Sequence, residues 1–254
     1  MSVPTRNVIL FGSTGSGKSS IVNMLLGSDQ AKTSSRATGC TFQNQPYDVD
    51  ISGDQYRIFD TTGLDEGAEG TIMSSDALGN LYNLLSGLTD GISLLAFVMR
   101  GPRITQQAQR NFSVFYEGMC EKNVPVVIIV TGMEDEAPMD AWWTENEEYF
   151  QERDMHFVGH ACITATKGKK TLQGYRNQAE YDVSQDLVRD LISIHCRSHG
   201  WKQEKKSWLK RVWNWFISQF NSKYTSADHQ PFYDVLQRVM SLEEAKQIMK
   251  KIIN

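Results

Sequence analysis

Short apolar runs alternate with stretches of helical period over residues 1 to 198. "NVILFG" (residues 7–12) reads as a buried strand, and "GKSSIVNMLLG" behind it as a helix stopped at Gly27. "TFQNQPYDVDI" and "QYRIFD" flank "SGD", the pattern of an antiparallel hairpin. "GISLLAFVM" and "VPVVIIV" predict two more buried strands, and "GHACITA" predicts a sixth. Helical stretches fall between them near residues 76–88, 103–121, 138–153 and 180–198. This alternation predicts an α/β fold, a doubly wound and mostly parallel sheet with helices on both faces.

The pattern changes after His199–Gly200. "WKQEKKSWLKRVWNWFISQF" is basic and rich in tryptophan, with Leu209, Trp213, Phe216 and Phe220 at helical spacing. A last helix opens at "SLEE", a capping box from Ser241 to Glu244. The chain is therefore divided into residues 1–198, the sheet domain, and 199–254, a helical extension.

With 40% apolar and 22% charged residues, the 254-residue chain has ordinary globular composition and ample core material. Its net charge of −4 gives no overall bias toward nucleic acid. Residues 200–223 depart from that average, with Lys202, Lys205, Lys206, Lys210, Arg211 and Lys223 against Glu204 alone. Three roles fit the basic aromatic segment 201–220: docking on the sheet domain, lying on an anionic membrane, or binding a partner helix. No second basic patch supports a nucleic-acid partner.

Cys40, Cys120, Cys162 and Cys196 are widely spaced, which predicts reduced thiols and a cytoplasmic protein. No signal-peptide pattern, myristoylation glycine or prenylation cysteine is expected from the ends, and no run is long enough for a transmembrane helix. The histidines form no ligand pattern.

"GSTGSGKS", from Gly12 to Ser19, fits the phosphate-loop pattern and stands between a predicted strand and a predicted helix. Glycines at such a turn let successive backbone N–H groups curl around phosphate oxygens. Gly12, Ser13, Thr14, Gly15, Ser16 and Gly17 form that cradle, at a helix N-terminus that attracts anions. Lys18 is expected to reach the β- and γ-phosphates and the Ser19 hydroxyl to ligate Mg²⁺, with Ser20 beside them. "DTTG" closes the next strand, where Asp60 can hold Mg²⁺ and Gly63 can offer its N–H to a γ-phosphate. Thr41 stands where Ras-like GTPases carry a metal-binding threonine, with Thr38 as its competitor. Lys18, Thr41 and Gly63 are thus the expected catalytic contacts, and Ser19, Thr41 and Asp60 the expected metal contacts.

The stretch "VTGMED" ends the strand "VPVVIIV" with Thr131, then Glu134 and Asp135. A carboxylate here can accept hydrogen bonds from guanine N1–H and the 2-amino group, a donor pair adenine lacks. Either Glu134 or Asp135 is positioned to read the base. After the sixth strand, Thr164, Ala165 and Thr166 form a second candidate base contact.

The ordered set "GSTGSGKSS", "GCTF", "DTTGL" and "TGMED" resembles the GIMAP-type immunity-associated GTPases and their fungal and plant relatives. "RGPRITQQAQ", from Arg100 to Gln109, resembles that family's own box, and the likeness covers about residues 5 to 198. Gly132 and Met133 depart from the Arg-Lys of the family's base-reading motif. The resemblance implies a guanine-nucleotide switch using GTP, GDP and Mg²⁺, with nucleotide controlling pairing of two such domains. Leu64 follows Asp-x-x-Gly where Ras-like enzymes carry a water-orienting glutamine, which implies slow hydrolysis. Glu66, Glu69 and Arg103 are polar candidates nearby. Two other readings are a nucleotide-regulated scaffold without hydrolysis and an ATP-dependent phosphate-loop enzyme, for which no acceptor site is evident.

Overall fold

The computed structural model describes residues 5–31, 44–61, 84, 87–202 and 246. β1 (Arg6–Phe11) leads through the phosphate loop into α1 (Lys18–Leu26). β2 (Asn44–Ile51) and β3 (Asp54–Thr61) form the expected hairpin across Ser52–Gly53. β4 (Leu94–Arg100) follows, then α2 (Gln106–Phe112) running on as a π-helical segment (Ser113–Met119). β5 (Val126–Thr131), α3 (Ala141–Gln151) and β6 (His160–Ile163) come next. A small hairpin of β7 (Lys170–Thr171) and β8 (Gly174–Tyr175) precedes α4 (Gln178–His195).

The six-stranded sheet has the order β2-β3-β1-β4-β5-β6, parallel throughout except for the edge strand β2. Pro46 sits on that edge, where a strand tolerates a missing N–H donor. Continuous apolar runs follow from burial on both faces. In β1, Ile9 and Phe11 join one core while Val8 and Leu10 join the other. The first core is aromatic, with Phe97, Phe112, Phe115, Trp143 and Phe150 packed under α2, the π-helical segment and α3. The second is aliphatic, uniting Ile21, Met24 and Leu25 of α1 with Val188 and Ile192 of α4. Helices on both faces of a mostly parallel sheet are the expected architecture.

Two features differ from the sequence reading. The helix expected over residues 103–121 starts at Gln106 and changes to π register at Ser113. That wider register seats Phe115 on Phe11, ring centroids 4.5 Å apart, while Phe112 meets Phe97 edge-on at 5.7 Å. The β7–β8 hairpin is an addition, since its two-residue strands have no apolar period to announce them. Most of the helix expected near residues 76–88, the capping box at Ser241 and most of the 199–254 extension lie outside the described residues.

Candidate nucleotide-binding site

β1 lies mid-sheet with β3 on one side and β4 on the other, so the turn after it opens at a crevice where strand order reverses. The turn requires glycine at its first position. Gly12 has φ +144°, and a Cβ there would stand 1.9 Å from the carbonyl oxygen of Val98 on β4. Ser16 N–H bonds the Ser13 carbonyl at 3.1 Å, which closes the loop. Thr14 and Gly15 are exposed at its crest, while Ser20 is half-buried in the first turn of α1.

Lys18 is buried and folds back over this loop, its Nζ donating to the carbonyls of Gly12 (2.7 Å) and Ser13 (2.9 Å). A buried ammonium held by neutral carbonyls is a cation kept close to an anion site. Ser19 Oγ donates to Asp60 Oδ2 at 2.6 Å, joining the start of α1 to the end of β3. Asp60 is buried, and its Oδ1 has no hydrogen-bond partner among the described residues. Burial pushes its carboxyl above the ordinary carboxylate range, opposed by the Ser19 hydrogen bond and by the charge of Lys18. A buried carboxylate oxygen without a donor, beside a hydroxyl at a phosphate loop, fits a hard divalent cation with its water shell. Ser19 and Asp60 are therefore the residues that could hold Mg²⁺. Thr38, Thr41, Gly63, Leu64, Glu66 and Glu69 lie outside the described residues, and Arg103 is an exposed residue before α2.

Thr131 ends β5 fully inside the protein, where its hydroxyl donates to the Ser16 carbonyl at 2.7 Å. This bond fixes the phosphate loop to the end of β5. Met133 turns inward and packs in the aromatic core; its methyl lies where a Cβ on Gly101 would be, 2.1 Å away. That contact unites the "RGPRIT" stretch with the loop after β5. Glu134 is half-buried, whereas Asp135 is exposed and pairs with Arg176 beyond β8 at 3.6 Å.

Behind β6, Thr164 is fully buried, its N–H bonded to Ser184 Oγ at 2.9 Å and its hydroxyl directed at Met139 Sδ. Ala165 is buried and Thr166 exposed beyond it. Two residues of this neighbourhood escaped the sequence reading. Asn111 on α2 donates to Ser13 Oγ at 3.3 Å across 98 positions, and Ser184 on α4 positions the Thr164 loop. A single side chain reaching a distant loop leaves no local signal.

Residues 7–131 match the sequence profile of the family described as 50S ribosome-binding GTPase. Those residues are similar to a GTPase domain of that family. Two curated relatives come from Arabidopsis thaliana. Immune-associated nucleotide-binding protein 10 is 34% identical over 100 residues, 39% of this chain and 21% of that protein. Immune-associated nucleotide-binding protein 3 is 32% identical over 110 residues, 42% of this chain and 32% of that protein. The chain thus spans about a fifth to a third of the curated relatives it matches. These relatives agree with the immunity-associated resemblance of the motifs. Among solved structures, Aquifex aeolicus Era bound to GDP·AlF4⁻ is 18% identical with a TM-score of 0.51. The alignment covers 82% of this chain and 66% of that one, a likeness of fold alone. Among the described residues no helix is long and apolar enough to cross a membrane.

Proposed function

We propose that this protein binds GTP and GDP with Mg²⁺ in the crevice after β1 and hydrolyses GTP slowly, as a switch coupled to self-association. The observation that carries the reading is the pair of buried charges at the loop: Lys18 held on the Gly12 and Ser13 carbonyls, and Asp60 bonded to Ser19, its other oxygen without a partner among the described residues. On binding, Lys18 exchanges two neutral carbonyl acceptors for phosphate oxygens, a gain of charge-assisted hydrogen bonds. The backbone N–H groups from Ser13 to Ser19 enclose the diphosphate, and the N-terminus of α1 adds its positive end. Ser19 and Asp60 hold Mg²⁺, which neutralises charge on the β- and γ-phosphates when bound.

Glu134 reads guanine in this proposal because it is half-buried at the end of β5, while Asp135 is turned out to Arg176. The expected slow rate follows from Leu64, whose side chain can neither donate to nor accept from an attacking water. Self-association rests on the immunity-associated resemblance, as does the expectation that a second domain completes the site. Identifying the nucleotide that co-purifies with the protein tests the proposal. Guanine nucleotide is the expected result, and adenine nucleotide would refute the base assignment.

A further inference from the structure

Thr166–Arg176 is the longest run of consecutive exposed residues among the described ones. It is nevertheless regular: β7 and β8 pair in register, and Thr171 Oγ1 donates to the Gly174 carbonyl at 2.8 Å. Arg176 N–H and Asn177 N–H bond the carbonyls of Lys169 and Lys167, both at 3.0 Å. The hairpin is thus held by backbone bonds while its side chains stay in solvent. Leu172 at the turn is fully exposed (107%) and Tyr175 is 43% exposed. Lys167, Lys169, Lys170 and Arg176 supply four cations with no Asp or Glu in the run, a second basic cluster besides 200–223 that the sequence pattern alone did not bring out, on a chain of net charge −4.

We propose that the β7–β8 hairpin is a contact site for an anionic phospholipid surface. Leu172 enters the boundary between headgroups and acyl chains, and the cations around it face the headgroup phosphates. An apolar turn ringed by one sign of charge matches that interface, wet and anionic outside and apolar within. Single-stranded nucleic acid fits less well, because it needs open aromatic faces for base stacking. Tyr175 is the hairpin's one aromatic residue, and the Lys167 ammonium already lies 5.9 Å from its ring centroid. Arg176 also reaches Asp135 at 3.6 Å, so docking would set the base-reading loop beside the lipid. The inference stands independently of the nucleotide reading.

The test is co-sedimentation of the full chain with phosphatidylcholine vesicles, with and without phosphatidylserine, beside a titration with polyuridylate. The variants are Lys169→Gln with Lys170→Gln, and separately Leu172→Asp. Neither should disturb folding, since these side chains lie in solvent, and thermal denaturation checks this. We expect binding to the phosphatidylserine vesicles only. Partitioning should fall by roughly 30-fold in the double variant, at about 5-fold per cation, and the Leu172→Asp protein should also lose binding. Failure of the wild-type chain to bind anionic vesicles overturns the proposal. So does unchanged binding in both variants, which would move the contact to another segment such as residues 201–220. Retention on polyuridylate without vesicle binding would replace lipid by RNA.

Discussion

Ser19 donates its hydroxyl hydrogen to Asp60 across 2.6 Å, and among the described residues the second oxygen of that buried carboxylate has no donor. The pair joins the phosphate loop to the strand that leads into the DTTG motif, so one cation held there would sense both. In the metal-free protein the ionised carboxylate carries a cost, because burial strips it of hydration.

The first prediction follows from that cost. The folded-state pKa of Asp60 is raised by burial, so between its ordinary value and the raised one the folded protein binds more protons than the unfolded chain. Stability of the metal-free protein therefore falls as pH rises through that window and stays lower above it. Mg²⁺ needs the ionised form, so its stabilising effect should fade as pH falls through the same window. Asp60→Asn should melt no lower than the parent in EDTA and gain nothing from Mg²⁺. Thermal denaturation across pH, with and without metal, reads both effects; a Mg²⁺-dependent rise in the Asn variant would count against Asp60 as a ligand.

Thr131 offers a second test, because its hydroxyl bonds the Ser16 carbonyl inside the protein. Thr131→Val keeps the volume and leaves that buried acceptor unsatisfied, at a cost of about 1–3 kcal/mol. Both denaturant stability and nucleotide affinity should fall. Lost affinity at unchanged stability would instead make Thr131 a direct nucleotide contact.

The strands were legible in the sequence because both sheet faces are covered, so β1, β4 and β5 read as unbroken apolar runs ended by glycine or polar residues. The phosphate loop was legible because its chemistry needs fixed residues at fixed spacing. The π register of Ser113–Met119 was hidden, since a helix of 3.6 period gives the same pattern of Phe112, Phe115 and Met119. Met133 illustrates another limit: its place in the motif suggested a departure at the base, while its side chain packs in the core against Gly101. Asn111 and Ser184 reach distant loops through long-range hydrogen bonds, which no local pattern encodes.

For the base, Glu134→Ala should weaken GDP binding by about 1.5–3 kcal/mol, the loss of charge-assisted hydrogen bonds. Asp135→Ala should change it little, since Asp135 is exposed and turned to Arg176. Competition titrations on both variants decide the register. The reverse ranking would make Asp135 the reader.

Turnover should be slow in an isolated protomer, nearer the basal Ras rate of about 10⁻⁴ s⁻¹ than the stimulated one. If pairing completes the site, turnover per protomer should rise with protein concentration, and a GTP analogue should promote dimers more than GDP does. A fast rate from a strict monomer, independent of concentration, would point to a water-orienting residue other than one at position 64.

The central claim is that Lys18 anchors the phosphates of a guanine nucleotide. Titrating the protein with GDP, GTP and ATP in the presence of Mg²⁺, beside a folded Lys18→Ala variant, tests it most directly. The account predicts that GDP and GTP compete for one site, that ATP displaces neither, and that the variant binds none of them. Equal displacement by ATP, or undiminished binding by the variant, would contradict it.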